Sequence, residues 1–221
     1  MSKNQSSERK LTQAEIRRIE LLKKREEKLF ADGYKRHDIT VSIEMVKKDG
    51  LRLVLPVELV IVGLFALIHK SDDLIDIVKN HPVKLIIGVV IFAIANIVLM
   101  VAHELIHAMF WAIGTEGGFK NIEFGIIKEQ LVAYCNCKVP LPKSRYLIGG
   151  IMPVTILGIG LGIVSLITGS FLIMMIAIFQ LGLGEGDMVI TSKLLQYKTA
   201  SKDVIYVDHP TELGAIVYER E

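Results

Sequence analysis

Residues 103–107 read H-E-L-I-H and sit in a stretch with almost no charge. On an α-helix, residues i and i+4 share a face, so His103 and His107 can offer two imidazoles to one cation. Glu104 projects from a neighbouring face, where its carboxylate can take a proton from an activated water. Between residues 83 and 114 the other ionisable group is Lys84. Polar groups in lipid-compatible sequence are expensive and mark function by default. The pattern therefore points to an intramembrane zinc hydrolase. The plainer alternative is a pair of helix histidines hydrogen-bonded in a packed core.

Catalytic zinc takes three protein ligands and leaves one position open. The third ligand has to lie at the depth of the histidines. Asp187, in Gly184-Glu185-Gly186-Asp187, is the aspartate of the last apolar stretch. His103 lies 20 residues from the start of its span near residue 83, a rise of about 30 Å at 1.5 Å per residue. Asp187 lies 16 residues from the start of its span near residue 171, a rise of about 24 Å. Within a helical turn the three groups are level. Gly182, Gly184 and Gly186 remove bulk beside the acid, which lets helices approach. Glu185 competes for the role. It stands about 200° from Asp187 around a helix, so only one of the two can face the metal. A polar helix end at the membrane interface is the remaining reading of Glu185-Gly186-Asp187.

These groups need a scaffold, and hydropathy supplies one. Four apolar spans are expected at about residues 51–68, 83–114, 147–168 and 171–191. The first is interrupted by Pro56 and Glu58. Glu58 is either interfacial or faces the bundle interior. Gly158, Gly160 and Gly162 permit close packing of the third span. Between the second and third spans, residues 115–145 form a polar insert. There 122–127 and 131–137 have strand character around a turn at Lys128-Glu129-Gln130, which predicts a β-hairpin. Residues 1–10 look disordered. Thr12 to Glu15 fits a capping box, and Ile16, Ile19, Leu22 and Phe30 recur near helical spacing among basic residues. That basic amphipathic helix can lie on anionic lipid, bind a partner, or simply pack on the rest of the chain. The tail, 192–221, is polar, with a short strand expected at 204–207. The fold class expected is an all-α polytopic membrane bundle of about four helices with a small cytoplasmic β-hairpin and an N-terminal amphipathic helix. Its parts are an arm (1–50), a membrane domain (51–191) and a tail (192–221).

Composition agrees. Hydrophobic residues make up 51% and charged residues 23%, but the charges are segregated. The arm is dense in Lys and Arg, while the loop at 69–82 carries Lys70 and Lys79 against Asp72, Asp73 and Asp76. An even number of spans with both termini cytoplasmic satisfies this bias in a multi-pass protein of the cell membrane. No basic and aromatic interleaving points to nucleic acid. No apolar signal-peptide core is visible in the first 50 residues. Cys135 and Cys137 are too close for an ordinary disulfide and lack a second pair for structural zinc. They read as strand residues in a reducing compartment.

The helix motif His103-Glu104-Leu105-Ile106-His107, the later Gly186-Asp187 and the Met152-Pro153 step resemble a family of bacterial membrane proteins classed as zincin peptidases. These are in turn similar to the site-2 proteases. The resemblance spans roughly residues 50–195. It implies that His103, His107 and Asp187 bind Zn2+, that Glu104 is the general base, and that a membrane protein or peptide is the substrate. The site-2 pattern departs at two places: Met152 stands before Pro153, and Met188 follows Asp187. Substrate handling by an asparagine does not carry over. The competing class is a non-catalytic metal-binding membrane scaffold or sensor. Transport is the weaker competitor, because the later spans offer few polar groups beyond Gln180 and Ser165. The oligomeric state is not legible.

Overall fold

The computed structural model describes residues 11–69, 79–113, 115–127 and 132–221. The first ten residues, most of the loop after the first span, and the expected hairpin turn at Lys128-Glu129-Gln130 lie outside the described residues.

Helix α1 (Gln13–Ala31) begins at the expected capping box: the Glu15 N–H donates to the Thr12 hydroxyl, and the Thr12 N–H donates to the Glu15 carboxylate at 2.8 Å. Gly33, at φ 84°, turns the chain out of the helix. Strand β1 (Lys35–Thr40) follows, then α2 (Ile43–Ile68) and α3 (Pro82–Ala112). Strands β2 (Ile122–Ile127) and β3 (Val132–Cys137) form the antiparallel hairpin expected from sequence. After the short β4 (Leu141–Pro142) comes one continuous helical rod. It comprises α4 (Lys143–Pro153), a π-helical stretch (Val154–Gly160) and α5 (Leu161–Thr168). Helices α6 (Phe171–Leu183) and α7 (Glu185–Gln196) precede β5 (Asp203–Asp208) and β6 (Gly214–Arg220).

Three helical rods, Ile43–Ile68, Pro82–Ala112 and Lys143–Thr168, are long and apolar enough to cross a membrane. The fourth expected span is not one straight helix. It is bent by 48° between α6 and α7, and Gly184 lies at the bend. A Cβ on Gly184 would sit 2.2 Å from Val154 Cγ2, so glycine is what lets the bent corner seat on the third rod. Of the three glycines expected to relieve crowding near Asp187, this is the one that does so. A Cβ at Gly182 or Gly186 would meet nothing. Val54, Ile61, Val154, Met174 and Leu181 fill the bundle interior. The outer helix faces expose large apolar side chains, including Leu59, Leu67, Ile97 and Ile167. Such a surface suits lipid rather than water.

The chain is mostly helical but holds more sheet than the all-α expectation. Arm and tail join in a four-stranded antiparallel sheet of order β1-β6-β5-β4. Lys35 pairs with Glu219 and Thr40 with Gly214, so the two termini meet at one end of the bundle. One face of this sheet packs Val207, Ile216 and Tyr218 against Leu22 and Leu29 of α1. Of the apolar positions expected on this helix, Leu22 packs on the protein itself together with Leu29, while Ile16 and Phe30 stay exposed. The other face packs Tyr206, Ala215 and Val217 onto Ala108, Trp111, Tyr146 and Leu194 at the bundle end.

Candidate metal centre

The third rod carries a local defect that helps define the site. A helical N–H four residues on would normally bond the Gly149 carbonyl. That residue is Pro153, which has no N–H. The freed carbonyl instead accepts a hydrogen bond from His107 Nδ1 at 2.8 Å. With its proton committed at Nδ1, His107 presents the Nε2 lone pair in the opposite direction. Helices α3 and α4 can come this close because residue 149 is glycine: a Cβ there would lie 2.1 Å from the Trp111 indole nitrogen.

His107 Nε2 faces Asp187 Oδ1 at 3.4 Å, and His103 Nε2 faces Asp187 Oδ2 at 2.9 Å. Asp187 stands in the first turn of α7, just past the bend. One ligand atom from each of His103, His107 and Asp187 falls within 4.8 Å of the other two. Both histidines are buried. The rings of His103 and His107 meet edge to face at 5.0 Å. Among the described residues His103 Nδ1 is buried without a partner. His103 Nε2–H can donate to Asp187 at 2.9 Å, but His107, with its proton on Nδ1, turns a lone pair toward the second carboxylate oxygen, a contact that a shared cation would relieve. Two imidazoles and a carboxylate are a donor set that zinc accepts. The residues fit the ion.

Glu185, the competitor for the acid role, separates cleanly from Asp187. Glu185 turns away toward α2, where a Cβ on Gly50 would sit 2.7 Å from Glu185 Cβ. Glu58, on α2, is half-buried and near enough to Glu185 to feel its charge. Neither joins the histidines. Glu104 is not in the three-residue cluster either. Its carboxylate faces the backbone N–H of Cys135 on β3. Cys135 and Cys137 are free thiols on that strand, as expected. Burial pushes the Cys137 thiol up to about 11 and Cys135 higher still, so both stay protonated.

Some contributors have no signature in a motif search. The single tryptophan, Trp111, lies four residues after His107 and stacks on it at 5.0 Å with planes 16° apart. Its indole N–H donates to the Tyr146 carbonyl at 3.1 Å. Tyr146 stacks on Trp111, and Tyr206 of the sheet stacks on Tyr146. The Tyr146 hydroxyl donates to Asp208, whose second oxygen accepts the Cys137 N–H at 2.6 Å. An aromatic column therefore runs from the candidate ligand His107 to the sheet. The repeat His103, His107, Trp111 at i, i+4 and i+8 was the available signal.

Neither a curated protein nor a solved structure is matched by the chain. A family model does match residues 96–202, a segment holding His103, Glu104, His107, Gly149, Pro153 and Asp187. The family of that model is described as "Putative zincin peptidase", and the matched segment is similar to it.

Proposed function

We propose that the chain is a zinc-dependent peptidase that hydrolyses peptide bonds near the cytoplasmic face of a membrane. One observation carries this reading: the two histidines of H-E-L-I-H and the distant Asp187 present their ligand atoms to one point. The similarity of residues 96–202 to a zincin peptidase family supports it. When bound, zinc supplies a Lewis acid that makes water nucleophilic near neutral pH and polarises a carbonyl.

The chain's own groups do the rest. His103, His107 and Asp187 would hold the ion, and the Gly149 carbonyl fixes the ring of His107. Glu104 takes the proton from the attacking water on its carboxylate and returns it to the leaving amine. The Cys135 N–H lies beside that carboxylate, and the Cys137 N–H is met by Asp208, so both donors turn away from β2. A substrate chain would pass beside Glu104 in extended form, and to pair with β3 it would have to displace Glu104 or Asp208 from these N–H groups. The substrate is a membrane protein or a peptide.

The membrane placement rests on the three apolar rods and the bent fourth. The shared sheet of arm and tail, together with the Lys and Arg excess in these segments, favours both termini on the cytoplasmic side.

Glu104→Gln is the test. The variant is expected to retain zinc near one equivalent by mass spectrometry while cleavage of membrane-protein substrates drops to background. Normal cleavage by that variant would remove Glu104 from the mechanism. Zinc absent from the wild-type protein would remove the peptidase reading altogether.

A further inference from the structure

An amide pair that the proposed chemistry does not use lies inside the bundle. Asn96 on α3 and Gln180 on α6 are both buried, and the Gln180 Nε2–H donates to Asn96 Oδ1 at 2.9 Å. Asn96 Nδ2 donates in turn to the Phe92 carbonyl at 2.8 Å. That carbonyl can only accept, so the Asn96 amide is oriented with its oxygen toward α6, and the partner at 180 has to donate. The surrounding sequence is apolar: Asn96 is the polar residue between Lys84 and His103, and Gln180 is the polar residue of α6. Stability does not explain the pair. Gln180 Oε1 is buried with no hydrogen-bond partner among the described residues, and a half-satisfied buried amide is worse than an apolar side chain in its place.

Its place relative to the metal centre gives it a use. Asn96 and His103 lie on one continuous helix, two turns apart and within about 20° of the same face. Gln180 and Asp187 have the same spacing across the bend at Gly184. The contacts Asn96–Gln180 and His103–Asp187 both close at 2.9 Å, and both join residues 84 apart in the chain. The fourth span therefore runs in the direction of α3 with no slip between the two contacts, and the amide pair stands about 10 Å along the helix axis from the histidines. Apolar helices in lipid have few means of fixing such a register, because lipid tails are as apolar as the side chains they touch. A slip of one turn, about 5.4 Å, would carry the Asp187 carboxylate away from both imidazoles. A buried amide finds its partner in one register and sets it at a cost in stability. The Phe92 and Phe179 rings, edge to face at 5.6 Å beside the pair, add packing in that same register.

We propose that Asn96 and Gln180 are positioning residues for the metal centre: their hydrogen bond fixes the axial register of the fourth span on α3 and so holds Asp187 level with His103 and His107. The inference rests on the metal reading given above and adds to it two residues that touch neither ion nor substrate.

The test compares the full chain with Asn96→Leu/Gln180→Met, which keeps side chains of similar size and removes both amides, in phosphatidylcholine nanodiscs. Register is read by double electron–electron resonance between spin labels on cysteines introduced at Ile86 of α3 and Leu183 of α6, both exposed, in a Cys135→Ala/Cys137→Ala background. Residue 183 is level with residue 99, so the labels stand about 20 Å apart along the axis, and a one-turn slip changes that by about 5 Å. The distance is measured after chelation, so that it does not depend on zinc. Without the substitutions at 96 and 180 one narrow distance is expected, and the double variant should give a shifted or broadened distribution. Its zinc affinity, from competition with a chelator, should be about tenfold weaker, the lower end of what a lost positioning partner costs. Its melting temperature should hold or rise, because apolar replacement of a buried polar pair is often neutral or stabilising. A merely structural pair would lower melting temperature and affinity together, and that result overturns the proposal. So does a double variant that keeps either the wild-type distance or the wild-type affinity. A wild-type chain that takes up no zinc overturns the metal reading and this inference with it, and shows itself before any substitution is made.

Discussion

Two carboxylates stand at the two ends of the aromatic column, and they differ in what answers them. Asp187, at the helix end, faces two imidazole nitrogens, one of which has its proton committed elsewhere. Asp208, at the sheet end, faces two donors: the Tyr146 hydroxyl and the Cys137 N–H. The first arrangement leaves a lone pair of His107 facing a carboxylate, which a shared cation would resolve; the second is complete without one. Residue type alone does not make a ligand; the polarity of its neighbours does.

The sharpest way to break this comparison is to remove each acid in turn. Asp187→Ala is expected to take zinc from near one equivalent to background, with turnover, because two neutral imidazoles alone make a poor site. Asp208→Ala is expected to keep its zinc. Metal analysis of the two purified variants reads the difference directly, and equal loss in both would show that the column is one unit rather than two ends.

A smaller effect is expected where the column is squeezed. Gly149→Ala drives a Cβ into the Trp111 indole. Either the helices separate or the indole leaves His107. Overpacking of this kind costs about 1–3 kcal/mol. Thermal unfolding in detergent should show that loss, and zinc affinity should fall because the Gly149 carbonyl recedes from His107. Unchanged stability would mean that the close approach is not needed.

The two ends were also unequally legible. His103 and His107 follow from a spacing of four in apolar sequence, and Asp187 from a depth count. The count survives the unforeseen bend because Gly184 lies only three residues before Asp187, so little of the rise is affected. Choosing between Asp187 and Glu185 needed the packing of Glu185 on Gly50. The Gly149 carbonyl is a backbone group and has no sequence letter of its own; Pro153 four residues later was its trace. The sheet end was nearly invisible. Strand β1 reads Lys-Arg-His-Asp-Ile-Thr, without clear alternation, and its partner β6 lies some 180 residues away. Local pattern cannot announce a pairing of that range.

Acidity sharpens the contrast at the sheet end. Burial raises the pKa of Asp208 from 3.8 to about 6, against the opposing pull of the Tyr146 hydroxyl and the Cys137 N–H. The folded chain therefore binds this proton more tightly than the unfolded chain. Its contribution to stability is full below the unfolded pKa and is lost as pH rises through about 6. Asp208→Asn should be the less stable protein, because its amide can accept from only one of the two donors, and it should lack this pH step. Melting curves of both proteins between about pH 4 and pH 7 isolate the step as their difference. Parallel curves would mean that Asp208 stays ionised throughout.

The smallest expected effect tests the link between the helical defect and the ligand. Pro153→Ala restores an N–H four residues after Gly149, and that N–H can compete for the same carbonyl. A carbonyl has two lone pairs, so His107 need not lose its bond outright. The bond is expected to lengthen as α4 regains regular geometry, leaving the imidazole freer to turn. Loss of an orienting partner outright costs about 10–100-fold in metal affinity, so a shared carbonyl should cost less, on the order of a few-fold. Competition with a zinc chelator measures this, while the melting temperature should rise or hold, since alanine suits a helix interior better than proline. A variant with tighter helix packing and weaker zinc would mean that the proline serves the metal site at the expense of the fold. If zinc affinity is unchanged, the Gly149 carbonyl orients His107 whether or not residue 153 can donate.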